Sequence, residues 1–131
     1  MFRRSGNVLV AQGERAAALK AYRASLAIHE ALAARDPANT EWQRDLSVSH
    51  TKTGDVLVAQ GERAMALTAY CTSLAIPEAL VARDPANAEW QRDLSVSHNK
   101  VGDVLVDQGD EAAALKAYRA SLAIREAACR A

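Results

Sequence analysis

Aromatic residues are scarce in this chain, at 5% of 131 positions, and there are two cysteines, three prolines and six glycines. So few large rings exclude a core built on aromatic stacking and leave closely packed, alanine-rich helices. Cys71 and Cys129 fall at unmatched places in the sequence pattern, so neither a disulfide framework nor a zinc site is expected. They read as two reduced thiols of a cytoplasmic protein. Charge of one sign is also missing: 16 Lys and Arg balance 16 Asp and Glu. A nucleic acid or an anionic membrane would call for a basic surplus, so neither is expected as a partner. No continuous apolar run approaches the length needed to cross a bilayer. Met1-Phe2-Arg3-Arg4-Ser5 is positively charged but has no apolar segment behind it, so it does not read as a signal peptide.

What the chain does have is repetition. The stretch from Gly54 to Tyr70 occurs three times, the other copies running from Gly6 to Tyr22 and from Gly102 to Tyr118. The glycines set a period of 48 residues. Each unit of such an array buries its apolar face on its neighbours, so no single central core is needed. The units are 1–38, 39–86 and 87–131, within one array that spans residues 1–131.

Apolar residues recur at three- and four-residue steps throughout, which is helical spacing and not strand alternation. The pattern predicts helices over about 1–12, 14–35, 40–60, 62–83 and 88–108, and a last one from Asp110 to near Ala131. Gln12-Gly13, Gln60-Gly61 and Gln108-Gly109 are the expected stops after the first helix of each unit. Asp36-Pro37-Ala38-Asn39 and Asp84-Pro85-Ala86-Asn87 are the corners between units. Proline restricts the residue before it to extended backbone, and asparagine is a good N-cap. Gly54 sits inside a helix, where it is unfavourable by about 1 kcal/mol relative to Ala and admits a close neighbour. Pro77 stands inside the fourth helix where the other copies carry His29 and Arg125, and a kink is expected between Ser73 and Pro77.

The run Gly54, Leu57, Gly61, Ala66, Tyr70 resembles the tetratricopeptide repeat, as do Gly6, Leu9, Gly13, Ala18, Tyr22 and Gly102, Leu105, Gly109, Ala114, Tyr118. The family repeat is about 34 residues long, so a 48-residue unit carries about two extra turns in each of its helices. These would be Thr40–Leu46 in one helix and roughly Ile76–Ala82 in its partner. In this the chain is similar to the elongated repeats of kinesin light chains. The resemblance implies an all-α, right-handed superhelical solenoid of antiparallel hairpins that acts as a protein–protein interaction scaffold.

Catalytic chemistry finds no foothold. His50 and His98 are equivalent positions one period apart, with no Cys or carboxylate at ligand spacing beside both, so no metal is expected. Ser47, Ser49 and His50 share one helix and cannot form a triad with an oxyanion hole. Gly13, Gly61 and Gly109 are isolated glycines, which excludes a phosphate loop. No enzyme activity and no cofactor are expected.

By the resemblance, the first helix of each unit lines a concave groove that takes a peptide or helix of another protein. Its positions would be Arg3, Asn7 and Val10 in the first unit and Val48, Thr51, Asp55 and Val58 in the second. Val96, Asn99, Asp103 and Val106 complete it in the third. Asp55 and Asp103 favour a basic or neutral ligand. Arg3 and Asn7 partly match the carboxylate clamp of the family's chaperone-tail binders, but Val96 stands where a lysine is expected. The alternative is self-assembly. The first helix is two turns short of its counterparts, which uncovers Ile28 and Leu32. Uncapped ends invite a homodimer or stacked solenoid. A third reading makes the chain a fragment or sensor arm of a larger multidomain protein.

Overall fold

Two local devices turn the chain, and both recur one period apart. A computed structural model describes the backbone of residues 2–130 and the side chains of residues 12–124. Its helices are α1 (Phe2–Arg35), α2 (Thr40–Ala59), α3 (Arg63–Arg83), α4 (Ala88–Asp107) and α5 (Glu111–Arg130). Each packs against the next in chain order, giving an all-α solenoid of hairpins.

The first device is the Asp-Pro-Ala-Asn corner. Asp36 Oδ1 accepts from the Ala38 amide at 3.3 Å, and Asn39 Oδ1 accepts from the Trp42 amide at 3.0 Å. Asp84 with Ala86, and Asn87 with Trp90, repeat these bonds at 3.2 and 3.1 Å. Each asparagine thereby satisfies a free donor at a helix start, which is worth about 1 kcal/mol.

The second device is the glycine turn. Gly61 and Gly109 both adopt φ +80°. Beyond α2, the Gly61 amide donates to the Val58 carbonyl at 3.0 Å and the Glu62 amide to the Leu57 carbonyl at 2.9 Å. Beyond α4, the Gly109 and Asp110 amides bond Val106 and Leu105 in the same way. This pair of bonds closes a helix whose next residue is left-handed, and glycine adopts that conformation without a Cβ penalty.

Gly13 departs from expectation. The stop predicted at Gln12-Gly13 is absent, and α1 passes straight through it as one helix of 34 residues. The predicted helices 1–12 and 14–35 are therefore one. The local sequence, Ala-Gln-Gly-Glu-Arg-Ala, is the same at 11–16 as at 59–64, so the cause is not local. Ahead of the Gly61 turn, Ser47 and Thr51 bond α2 to α3. The segment before Gly13 carries Arg3 at the place of Thr51. Without the Thr51 hydroxyl, continuing the helix adds a backbone hydrogen bond per residue and wins over folding back.

A glycine–tyrosine contact sets how closely the hairpin helices approach. A Cβ on Gly54 would stand 2.6 Å from Tyr70 Cε1, and one on Gly102 would stand 2.7 Å from Tyr118 Cε1. Tyr70 packs in a buried cluster with Leu57, Ala66, Val101, Val104 and Ala117. Ala66 is fully buried, so nothing larger fits at that crossing. One turn or more away, hydroxyls tie α2 to α3. Ser47 Oγ donates to the Ser73 carbonyl at 3.0 Å, and Ser73 Oγ donates to the Ser47 carbonyl at 2.8 Å. Thr51 Oγ1 lies 2.7 Å from Ser73 Oγ.

This explains how α3 runs unbroken through Pro77. Proline offers no amide to the carbonyl four residues back, which is that of Ser73. The Ser47 hydroxyl takes that carbonyl instead. Both Pro77 and Ser73 are fully buried, so the substitution of one donor for another happens out of water.

One sequence expectation needs correcting. No continuous apolar run is long enough to span a bilayer, yet α3 as a whole is long and apolar enough by length and composition. Its apolar content is largely alanine and leucine, interrupted by Thr68, Tyr70, Thr72 and Ser73. In the fold it lies between α2 and α4, burying Ala66, Tyr70, Ser73, Pro77 and Leu80.

Candidate partner-binding face

The first helices of the second and third units, α2 and α4, are joined by charge. Arg44 Nε lies 2.8 Å from Asp93 and its Nη1 2.9 Å from Glu89. Farther along, Lys100 Nζ lies 3.0 Å from Asp55 and 5.9 Å from the centre of the Tyr70 ring. All of these groups are partly exposed, so each pair contributes about 0–1 kcal/mol. Their effect is to orient α4 on α2.

Above these links runs a face with exposed valines. Val48 is 55% exposed, Val96 43% and Val106 48%. Between Val48 and Val96 opens a cleft of about 380 Å³, floored by Ile76, Pro77 and Leu80 of α3 and edged by Arg44, Thr51 and Asp93. Glu41, Asp45 and Arg92 stand at its rim. Its size is at the lower end of sites that hold a small ligand or a few peptide side chains.

A smaller cleft of about 200 Å³ lies farther along, lined by Asp55, Val58, Tyr70, Lys100, Asp103 and Asp107. Two of its carboxylates, Asp55 and Asp103, already have partners. The Tyr70 hydroxyl donates to Asp55, which also holds Lys100, and the Tyr118 hydroxyl donates to Asp103 at 2.6 Å. Burial, then the bond to Asp55, pushes the Tyr70 phenol far above its ordinary range. Tyr118 is pushed up to about 12, chiefly by its bond to Asp103.

The groove positions expected from sequence thus divide three ways. Val48, Thr51 and Val96 border the larger cleft; Asp55, Val58 and Asp103 border the smaller. Val106 is exposed on α4, and Asn99 is half-buried and lines neither cleft. The side chains of Arg3, Asn7 and Val10 lie outside the described residues. Sequence reasoning missed Arg44, Ile76, Pro77 and Leu80. All four belong to the turns by which this unit exceeds the family length, so no motif position points to them. The length surplus itself was the available signal.

The histidines are packing residues. His29 Nδ1 bonds the Ser49 hydroxyl between α1 and α2. His50 and His98 are half-buried, and desolvation lowers the pKa of each, opposed by the charge of Glu30 and Glu78 respectively. Among the described residues there is no group of three or more His, Cys, Asp or Glu side chains placed to hold a metal ion.

An all-α solenoid of paired helices, with a cleft where its first helices meet, defines a repeat scaffold. Residues 6–38 match the family model described as tetratricopeptide repeat. No curated protein matches the chain. The matched motif recurs twice more at 48-residue intervals, and the all-helical fold agrees with the match, so both support a tetratricopeptide repeat array. That family is a non-catalytic repeat scaffold whose members generally bind other proteins or peptides.

Proposed function

We propose that this chain is a cytoplasmic interaction module that holds an extended peptide or a helix of a partner protein across the α2/α4 face. The observation that carries this reading is the pair of exposed valines, Val48 and Val96, flanking the cleft over Ile76 and Leu80. An apolar ligand side chain seated there would remove several exposed apolar groups from water at about 25 cal/mol per Å². The rim favours a basic or neutral ligand. Arg44 is engaged by Glu89 and Asp93, which leaves Glu41 and Asp45 facing Arg92 alone. The elongated turns are central to this reading, because they supply Arg44, Ile76 and Leu80 to the cleft.

The test is a displayed library of random peptides selected on the purified chain, with affinities then measured by fluorescence anisotropy. Selected peptides should carry an apolar anchor beside Lys or Arg. Val48→Glu and Val96→Glu should each weaken binding at least about tenfold, which is 1.4 kcal/mol, without loss of helical signal. Peptides that bind both variants as tightly as the parent would sink the proposal.

A further inference from the structure

In two units the first helix folds back on the second; in one it does not. Residues 6–38 carry the sequence of a repeat hairpin, yet α1 holds them in a single straight helix as far as Arg35. The place where the fold-back would lie can be found by the period. Moved back 48 positions, Tyr70, Lys100, Asp103, Val104 and Asp107 of the smaller cleft become Tyr22, Lys52, Asp55, Val56 and Ala59. Those five, with Glu14, Arg15 and Ala18, line an open cleft between α1 and α2. The smaller cleft is also lined by Asp55 and Val58, which the period matches to Asn7 and Val10, whose side chains lie outside the described residues. With Asp55 and Val58 seated, the smaller cleft is about 200 Å³; the open cleft between α1 and α2 is about 520 Å³. Burial follows suit. Tyr70 and Val104 are buried at 4% and 1% exposure, while Tyr22 and Val56 are only half-buried.

We propose that this cleft is the seat of residues 6–12 from a second copy of the chain, so that two molecules exchange their α1 arms. The chain's own arm cannot reach it while α1 is straight, because residue 6 then lies about 24 Å along the axis from residue 22. A second copy can. In the α2–α3 hairpin Gly54 faces Tyr70, so the same pairing between two α1 helices sets Gly6 of each against Tyr22 of the other. That pairing is antiparallel and centred on Glu14, which makes it symmetric about a twofold axis, the closed form that dimers favour. Asn7 then takes the place of Asp55, accepting from the partner's Tyr22 hydroxyl and Lys52 ammonium. Each seat is incomplete until the other chain fills it.

Light scattering coupled to size exclusion, over a hundredfold range of concentration, should show a monomer–dimer equilibrium for the full chain. Gly6→Leu is the deciding variant. A side chain at the seated glycine collides with a tyrosine ring, so this change should raise the dimer Kd at least about tenfold with helical signal intact. Gly13→Ala favours the straight helix and should preserve or tighten the dimer. A monomer at every concentration overturns the proposal, as does a dimer indifferent to Gly6→Leu. In a Cys71→Ser, Cys129→Ser background, Leu9→Cys with Ala18→Cys and a short bis-maleimide should give a covalent dimer. A bridge closed within one chain would mean that the arm folds onto its own seat, and would also overturn it.

Discussion

The glycines offer a matched series in which one substitution has opposite signs at different positions. Replacing a helical glycine by alanine relieves about 1 kcal/mol of backbone entropy. At Gly13 nothing lies within 4 Å of the added Cβ and the backbone is helical. Gly13→Ala should therefore stabilise the chain by about 1 kcal/mol. At Gly54 the same methyl meets Tyr70 Cε1 at 2.6 Å and Cδ1 at 2.8 Å. That ring is buried and its hydroxyl is held by Asp55, so it cannot swing aside. Overpacking costs about 1–3 kcal/mol, which exceeds the helical gain, and Gly54→Ala should destabilise by up to about 2 kcal/mol. Gly102 makes the same contact with Tyr118, which is only half-buried and can yield; the two effects should nearly cancel there. At Gly61, φ +80° makes any Cβ unfavourable by about 1–2 kcal/mol. Urea unfolding, followed by circular dichroism and by fluorescence of Trp42 and Trp90, gives the four values. Two probes guard against stepwise unravelling of the array. If Gly54→Ala stabilised as Gly13→Ala does, the close approach of α2 to α3 would be wrong.

Two further outcomes follow from buried polar groups. Ser47→Ala deprives the Ser73 carbonyl of its donor and should cost about 1–3 kcal/mol; with Pro77→Ala, which restores the amide, the loss should shrink, giving a coupling above about 0.5 kcal/mol in a double-mutant cycle. His50 and His98 have folded pKa values below the ordinary 6.5. The unfolded chain therefore binds more protons between the folded value and 6.5, and stability present above pH 6.5 falls as pH drops through that window. Melting temperature should decline on acidification from pH 7 toward 5, and His50→Gln with His98→Gln should flatten the decline.

Residues near the corners were the most legible. Asn39 and Asn87 announced their caps because capping is decided within four residues. The helices from α2 onward begin and end within a residue or two of the expected places for the same reason. Gly13 was not legible, because its neighbours are those of Gly61 and the outcome depends on whether the preceding helix is tied to its partner by a group such as Thr51. The binding face was half legible. Val48, Thr51 and Val96 follow from the motif, whereas Ile76 and Leu80 come from turns that the motif does not contain. Reading only unbroken apolar runs likewise hid how apolar α3 is as a whole, since its polar residues are spaced through a helix rich in alanine.

Long antiparallel helices face a hazard that short ones do not: they can slip past each other by a turn, about 5.4 Å, and still match apolar to apolar. The contacts between α2 and α3 act as a lock on register. Sliding one turn either way would bring Val58 or His50 against the Tyr70 ring in place of Gly54. The same slip would part Ser47 from Ser73 and strand the carbonyl that Pro77 leaves open. A steric key at one end and a polar key at the other thus fix a single alignment. Lengthening the repeat is therefore compatible with a unique fold, because the added turns are held in phase.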